Sequence, residues 1–266
     1  MSWKWEEMTS PDFGAAVEAS QGVCLVPIGV IERHSTHLPL GNDLQVVREV
    51  ALRTAEREPA VVFPEFFLAQ THETKNRPGA IAIRHDLILQ LLENVCEEIA
   101  RNGLRKIVLL NGHGGNESIL SVFMTMMMEK PRDYTLYLLR LSEWWGLAAQ
   151  DEGWKAMMVS EFDYHAGEQE TSFALAARPD LVHMDRLSPP AVPLKRLAHL
   201  PPTSTAFWWN ADFPDHYAGD ATHATAEKGE YLMGLVVEHL AGVLKAIKED
   251  TAAAELEREF FADSGA

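Results

Sequence analysis

Two carboxylates and two imidazoles crowd into one short run, Glu32-Arg33-His34-Ser35-Thr36-His37-Leu38-Pro39-Leu40-Gly41-Asn42-Asp43. Imidazole nitrogen together with carboxylate oxygen is the donor set that suits zinc, manganese or iron. If the chain is extended at its start, Glu32 and His34 project to the same side and can reach one pocket. Asp43 returns to that pocket after a loop containing Pro39 and Gly41, and a carboxylate placed among several ligands can bridge two ions. Taken alone, the segment also fits surface polar residues that cap a helix and pair with Arg33.

A second run, Asn111-Gly112-His113-Gly114-Gly115-Asn116, sets a histidine among glycines. Glycine there admits positive φ and a close approach of backbone to ligand. A phosphate-cradling loop is the competing idea, but the run lacks both a Gly-x-Gly-x-x-Gly pattern and a following Lys-Ser/Thr. The third run is Tyr164-His165-Ala166-Gly167-Glu168-Gln169-Glu170-Thr171-Ser172. With a helix starting near Ala166, His165 and Glu168 stand three apart on one face and Glu170 points away. Glu168 is therefore the expected ligand, and Glu170 an alternative ligand or an acid favoured by the helix dipole. Both acids acting only as helix caps is the other reading.

Weaker candidates surround these runs. His72, Glu73, His85, His216 and His223 could line a pocket, and Trp144-Trp145 and Trp208-Trp209 could wall it or simply pack. No Gly-x-Ser-x-Gly elbow is present, and neither cysteine has a ligand-like setting, so a serine or cysteine nucleophile is not supported.

The elements that must position these groups alternate in type. An apolar run over 22–30 predicts a strand buried on both faces, with the ligand-rich segment at its carboxyl end. Asn42 or Asp43 is expected to cap a helix through Val46, Val47, Val50, Ala51 and Ala55. Strands are expected over 60–67, 106–110 and 134–141. Helices are expected from Asp86 to a stop at Gly103, over 118–128, up to Ala177 and over 226–247. Such an order implies an α/β protein, three-layer α/β/α, with a largely parallel or mixed central sheet. Functional loops in such sheets lie at the carboxyl ends of strands, where both the Glu32 and the His113 loops fall.

Bulk properties narrow the class. Neither repeat nor linker divides the 266 residues, so one domain over 1–266 is expected. A net charge of −16 argues against nucleic acid or an anionic membrane as partner. The N-terminal run has no apolar signal core and no segment approaches a membrane span, which points to the cytoplasm. Cys24 and Cys96 sit in apolar stretches and read as small buried hydrophobes without a disulfide.

Together the three runs resemble the creatininase (creatinine amidohydrolase) family. Pro78-Gly79, Gly219-Asp220 and the run Ala224-Thr225-Ala226-Glu227-Lys228-Gly229 extend the resemblance over nearly the whole chain. It implies a homo-oligomer, a hexamer or trimer, and two divalent ions of zinc, manganese or iron. Glu32 and His113 would hold one ion and His34 the other, with Asp43 bridging and His165 as catalytic base or acid. Creatininase itself places a glutamate ligand where this chain has Gly115; the double-glycine branch carries a glutamate soon after His-Ala-Gly, which the resemblance assigns to Glu168. Creatininase also clamps its ring with a tryptophan where this chain has Glu161. Ser35 stands where glycine is usual, and Thr74 where a histidine is often found.

The implied activity is metal-dependent hydrolysis of a C–N bond (amide, lactam or formamide) in a small polar, cyclic substrate. Opening of an oxidised inositol or sugar ring by C–C cleavage is the alternative. A non-catalytic metal-binding maturation partner is a reading of another class.

Overall fold

The computed structural model describes residues 2–264. Its first half runs α1 (Ser10–Ala19), β1 (Val23–Ile28), α2 (Asn42–Arg57), β2 (Val61–Val62), α3 (His85–Arg101) and β3 (Lys106–Asn111). Next come α4 (Glu117–Met126), β4 (Thr135–Leu139), α5 (Leu141–Gln150), α6 (Glu152–Met157) and α7 (Glu168–Ala177). The chain finishes with α8 (Trp208–Asp212), α9 (Ala226–Glu249) and α10 (Ala252–Ser264).

All four strands are parallel, in the order β2-β1-β3-β4. The strand interiors are apolar because both faces of the sheet meet a helical layer. Val23, Leu25, Val108 and Leu110 pack with Trp144, Trp154, Phe173, Leu232 and Val236 of α5, α6, α7 and α9. The alternate residues Cys24, Val26, Ile107 and Leu109 pack with Ala16, Leu92, Ile99 and Phe123 of α1, α3 and α4. The strand period of two thus sorts one sequence into two cores and produces the expected α/β/α layers. Both cysteines are buried and free. Among the described residues no helix is long and apolar enough to cross a membrane.

Pro27 sits inside a central strand, where a missing N–H would ordinarily break the ladder. Its carbonyl accepts from Phe66 N at 3.0 Å on the β2 side. The absent donor faces that same side, beyond the end of β2, so no ladder bond is lost. Pro64 similarly cuts the strand expected over 60–67 down to Val61–Val62. The cap of α2 also differs from expectation. Gly41 occupies it without a side-chain bond, and Asp43 lies in the first turn with its carboxylate free for other partners.

Candidate metal centre

Strand pairing brings the first two runs together. Ile28 at the end of β1 is in register with Asn111 at the end of β3, so the loops after each strand start side by side. Leu40 O closes the first loop on Glu32 N at 2.9 Å, and α2 then carries Asp43 back beneath it. Gly112 permits this approach, since a Cβ there would lie 2.6 Å from Val47 Cβ.

Asp43 is the centre of the resulting cluster. Its Oδ1 lies 2.8 Å from His34 Nε2, and its Oδ2 lies 2.9 Å from His113 Nδ1. Glu32 Oε1 stands 3.3 Å from His113 Nδ1 and 3.8 Å from His34 Nε2. On the other side, Glu170 Oε2 approaches His34 Nε2 at 3.9 Å and His165 Nδ1 at 3.7 Å. Donor atoms of Glu32, Asp43 and His113 form one compact group, and those of His34, Asp43 and Glu170 form another. Either group could hold an ion, and Asp43 belongs to both. A third grouping of Glu32, His34 and His165 overlaps them.

The cluster is buried yet incompletely satisfied. Glu32, His34 and Asp43 are at most 4% exposed. Even so, Glu32 Oε1, His34 Nε2, Asp43 Oδ2 and His113 Nε2 make no hydrogen bond. Buried polar atoms are almost always paired, so three carboxylates converging this way call for cations. Protonation behaves accordingly. Burial opposes charge on His34, but Asp43, Glu32 and Glu170 outweigh it and raise its pKa to about 10. Glu32 and Asp43 overcome burial at His113 in the same way, raising it to about 9. Asp43 is held low against burial by the two histidines, whereas burial raises Glu170. The residues present therefore fit divalent ions: hard and borderline donors, excess negative charge, and atoms without partners.

His165 differs in kind. Burial, and then His34, lower its pKa to about 4. Its Nε2 lies 3.1 Å from Arg33 O, and a carbonyl only accepts, so the ring proton sits on Nε2 and Nδ1 keeps its lone pair. The ring stacks on that of His34 at 4.3 Å.

Glu168 does not join the cluster; the acid that does is Glu170. The helical-face argument assumed a helix from Ala166, but Ala166 has φ +56° and α7 begins only at Glu168. Across that reversal the spacing of three no longer puts His165 and Glu168 on one face. Glu168 turns the other way, fully buried, where it accepts from Ser160 N at 2.7 Å and Val159 N at 3.1 Å and pairs with Lys228. Gly115 explains why the carboxylate comes from elsewhere: a Cβ there would lie 2.5 Å from His113 Nε2.

Two sequence departures gain roles. Ser35 has φ +55°, a conformation glycine tolerates best. Thr74 Oγ1 lies 2.8 Å from Thr71 Oγ1, and Thr71 donates to Glu32 Oε2, so this pair aims the Glu32 carboxylate. No spacing signal marked Thr71.

Above the cluster opens a cavity of about 330 Å³ lined by Trp145, Tyr164, Trp208, Trp209, Glu73 and His165, among others. Of the weaker candidates, Glu73 reaches it. The His72 and His85 rings meet at 4.7 Å, tilted by 39°, and His216 is buried beside Trp209. Trp144 is core.

Comparison with known proteins places the whole fold. The family model described as "Creatinine amidohydrolase" matches residues 6–244. A creatinine amidohydrolase of Pseudomonas putida is 26% identical over 92% of this chain and 95% of its own length. A mycofactocin precursor peptide peptidase of Mycolicibacterium smegmatis is 30% identical over 85% of each chain. A crystal structure of creatininase superposes with a TM-score of 0.79 at 24% identity, covering 94% of this chain and 99% of the other. Zn–Zn and manganese forms of creatininase superpose at 0.75, each covering 92% of this chain and 98% of its own.

Proposed function

Since the chain belongs to the creatininase family, a family of hydrolases, we propose that it is a binuclear metal-dependent hydrolase opening the C–N bond of a small, polar, cyclic amide. The observation that carries this reading is Asp43, whose two oxygens face two different imidazoles with a further carboxylate beyond each. Glu32 and His113 would hold one ion, His34 and Glu170 the other, and Asp43 would be shared. Two divalent cations there would acidify a water and polarise the scissile carbonyl.

The chain's own residues supply the rest. His165 is neutral with Nδ1 open, so it takes a proton there and passes it to the departing nitrogen. Such a relay contributes on the order of 10²–10⁴ in rate. The pKa of about 4 keeps it in the accepting form at neutral pH. Trp145, Tyr164, Trp208 and Trp209 offer flat apolar walls that order a ring and exclude water. The cavity of about 330 Å³ suits a compact substrate. Glu161 is exposed where creatininase has its clamping tryptophan, so the walls differ and the ring they accept need not be creatinine.

A screen of lactams and formamides with zinc- or manganese-loaded protein tests the proposal. Turnover of one of them, lost by about 10²-fold or more in His165→Ala with both ions retained, is the expected outcome. Undiminished activity in His165→Ala would leave a metal-binding partner as the better reading.

A further inference from the structure

The proposed chemistry uses His165 but not the chain of hydrogen bonds behind it, which is buried at Trp209 and His216 and reaches the surface at Asn76. Trp209 Nε1–H donates to His216 Nδ1 at 2.8 Å. An accepting Nδ1 places the ring proton on His216 Nε2, which lies 3.2 Å from Asn76 Oδ1. Asn76 Nδ2 in turn donates to Asn210 Oδ1 at 3.0 Å, next to Trp209. His216 is fully buried and Trp209 is 8% exposed. A core that only had to fill space would use apolar groups here, because buried polar groups are costly unless every one is satisfied.

The segment around His216 also holds both loops that meet at His165. Its backbone takes φ +51°, and its carbonyl accepts from Ser35 N at 2.9 Å in the loop carrying Glu32 and His34. Arg33 Nε donates to Asp215 O at 3.1 Å. Two residues on, Ala218 exchanges backbone bonds with His165 at 2.9 and 3.0 Å. The Trp209 ring meets the His165 ring edge-on at 5.5 Å and 88°, with the His34 ring on His165 at 4.3 Å. Trp209 lines the cavity as well.

From these contacts we infer that Trp209, locked by His216 and Asn76, is a positioning residue. It holds the His165 imidazole with Nε2–H on Arg33 O and Nδ1 on the side of Glu170, whose Oε2 lies 3.7 Å away. The inference rests on the hydrolase reading above for its kinetic arm. A reacting group misplaced by about 1 Å can lose on the order of 10²-fold in rate. Trp209→Phe keeps the wall and removes the donor; His216→Leu keeps the volume and removes the acceptor.

Both variants, loaded with zinc and assayed on the lactam or formamide found above, should keep two ions. Their kcat should fall at least about tenfold, with KM changed by less than about threefold. The double variant should be no worse than the poorer single one, because the two residues act as a unit. Long-range ¹⁵N–¹H spectra of the zinc-loaded protein supply a readout without turnover. His165 should be a single Nε2–H tautomer in the natural protein and a tautomer mixture in Trp209→Phe. Unchanged kcat with an unchanged His165 tautomer would overturn the inference, as would independent, additive losses. Should His216→Leu fail to fold, Trp209→Phe alone decides. Should no amide be hydrolysed by the natural protein, the hydrolase reading falls, while the tautomer measurement still decides the positioning role.

Discussion

Glu168 and Glu170 lie two residues apart on the first turn of α7, and the protein treats them in opposite ways. Glu168 is given everything a buried carboxylate needs: two backbone N–H groups and the ammonium of Lys228. Glu170 receives one backbone N–H, from Ala166 at 2.6 Å, and otherwise faces imidazoles 3.7–3.9 Å away and the carboxylates beyond them. Where the chain supplies its own counter-charge, the acid holds the fold together. Where it withholds one, the acid stays available to a cation, as the proposed function requires. The contrast separates an acid with its own counter-charge from one without more sharply than sequence spacing does.

Substitution should break the pair apart in opposite currencies. Glu170→Gln removes a donor from the His34 side of the cluster. Turnover should fall by about 10³-fold or more, beyond the 10–100-fold typical of groups that only support a ligand. One of the two ions should be lost on dialysis, with thermal stability of the metal-free protein little changed. Glu168→Gln, assayed alongside, should keep both ions.

Lys228→Met attacks the other acid by stranding Glu168 in the core. Removing one partner of a buried pair costs about 3–5 kcal/mol, and the low end, about 3, is expected because Lys228 is itself slightly exposed. Denaturant titration reads this loss, and the metal content of the protein that remains folded should be unchanged.

The smallest effect is in pH. In chelated protein His34 and His113 titrate at about 10 and about 9, above the ordinary value of 6.5. Groups with raised folded pKa values stabilise the fold fully below 6.5 and lose that contribution as pH climbs through 9 to 10. The melting temperature in chelator should therefore decline across that range. With zinc present it should hold, since the ions replace the protons and bind better as the histidines deprotonate. A flat chelated profile would show that the two histidines do not carry those protons.

Much of this was legible in the sequence for identifiable reasons. The apolar runs of β1 and β3 are unambiguous because strands covered on both faces have no polar alternation to lose. Glu32, His34, Asp43 and His113 could be grouped because parallel strands place their following loops at one edge. Glu170, the alternative in the sequence reading, stands at the cluster in place of Glu168 because one residue, Ala166 at φ +56°, delays the helix and re-aims both acids. That reversal is invisible to a helical-face argument. Thr71 and the Trp209–His216–Asn76 chain were illegible because their partners are distant in sequence and joined only by loops.

The central claim is that Asp43 sits between two cations. Anomalous X-ray diffraction at the zinc and manganese edges, on crystals of protein purified without added metal and then soaked, tests it directly. Two peaks are predicted, one beside Asp43 Oδ2, Glu32 and His113 and the other beside Asp43 Oδ1, His34 and Glu170. No peak after soaking, or a single ion bound away from Asp43, would contradict the account.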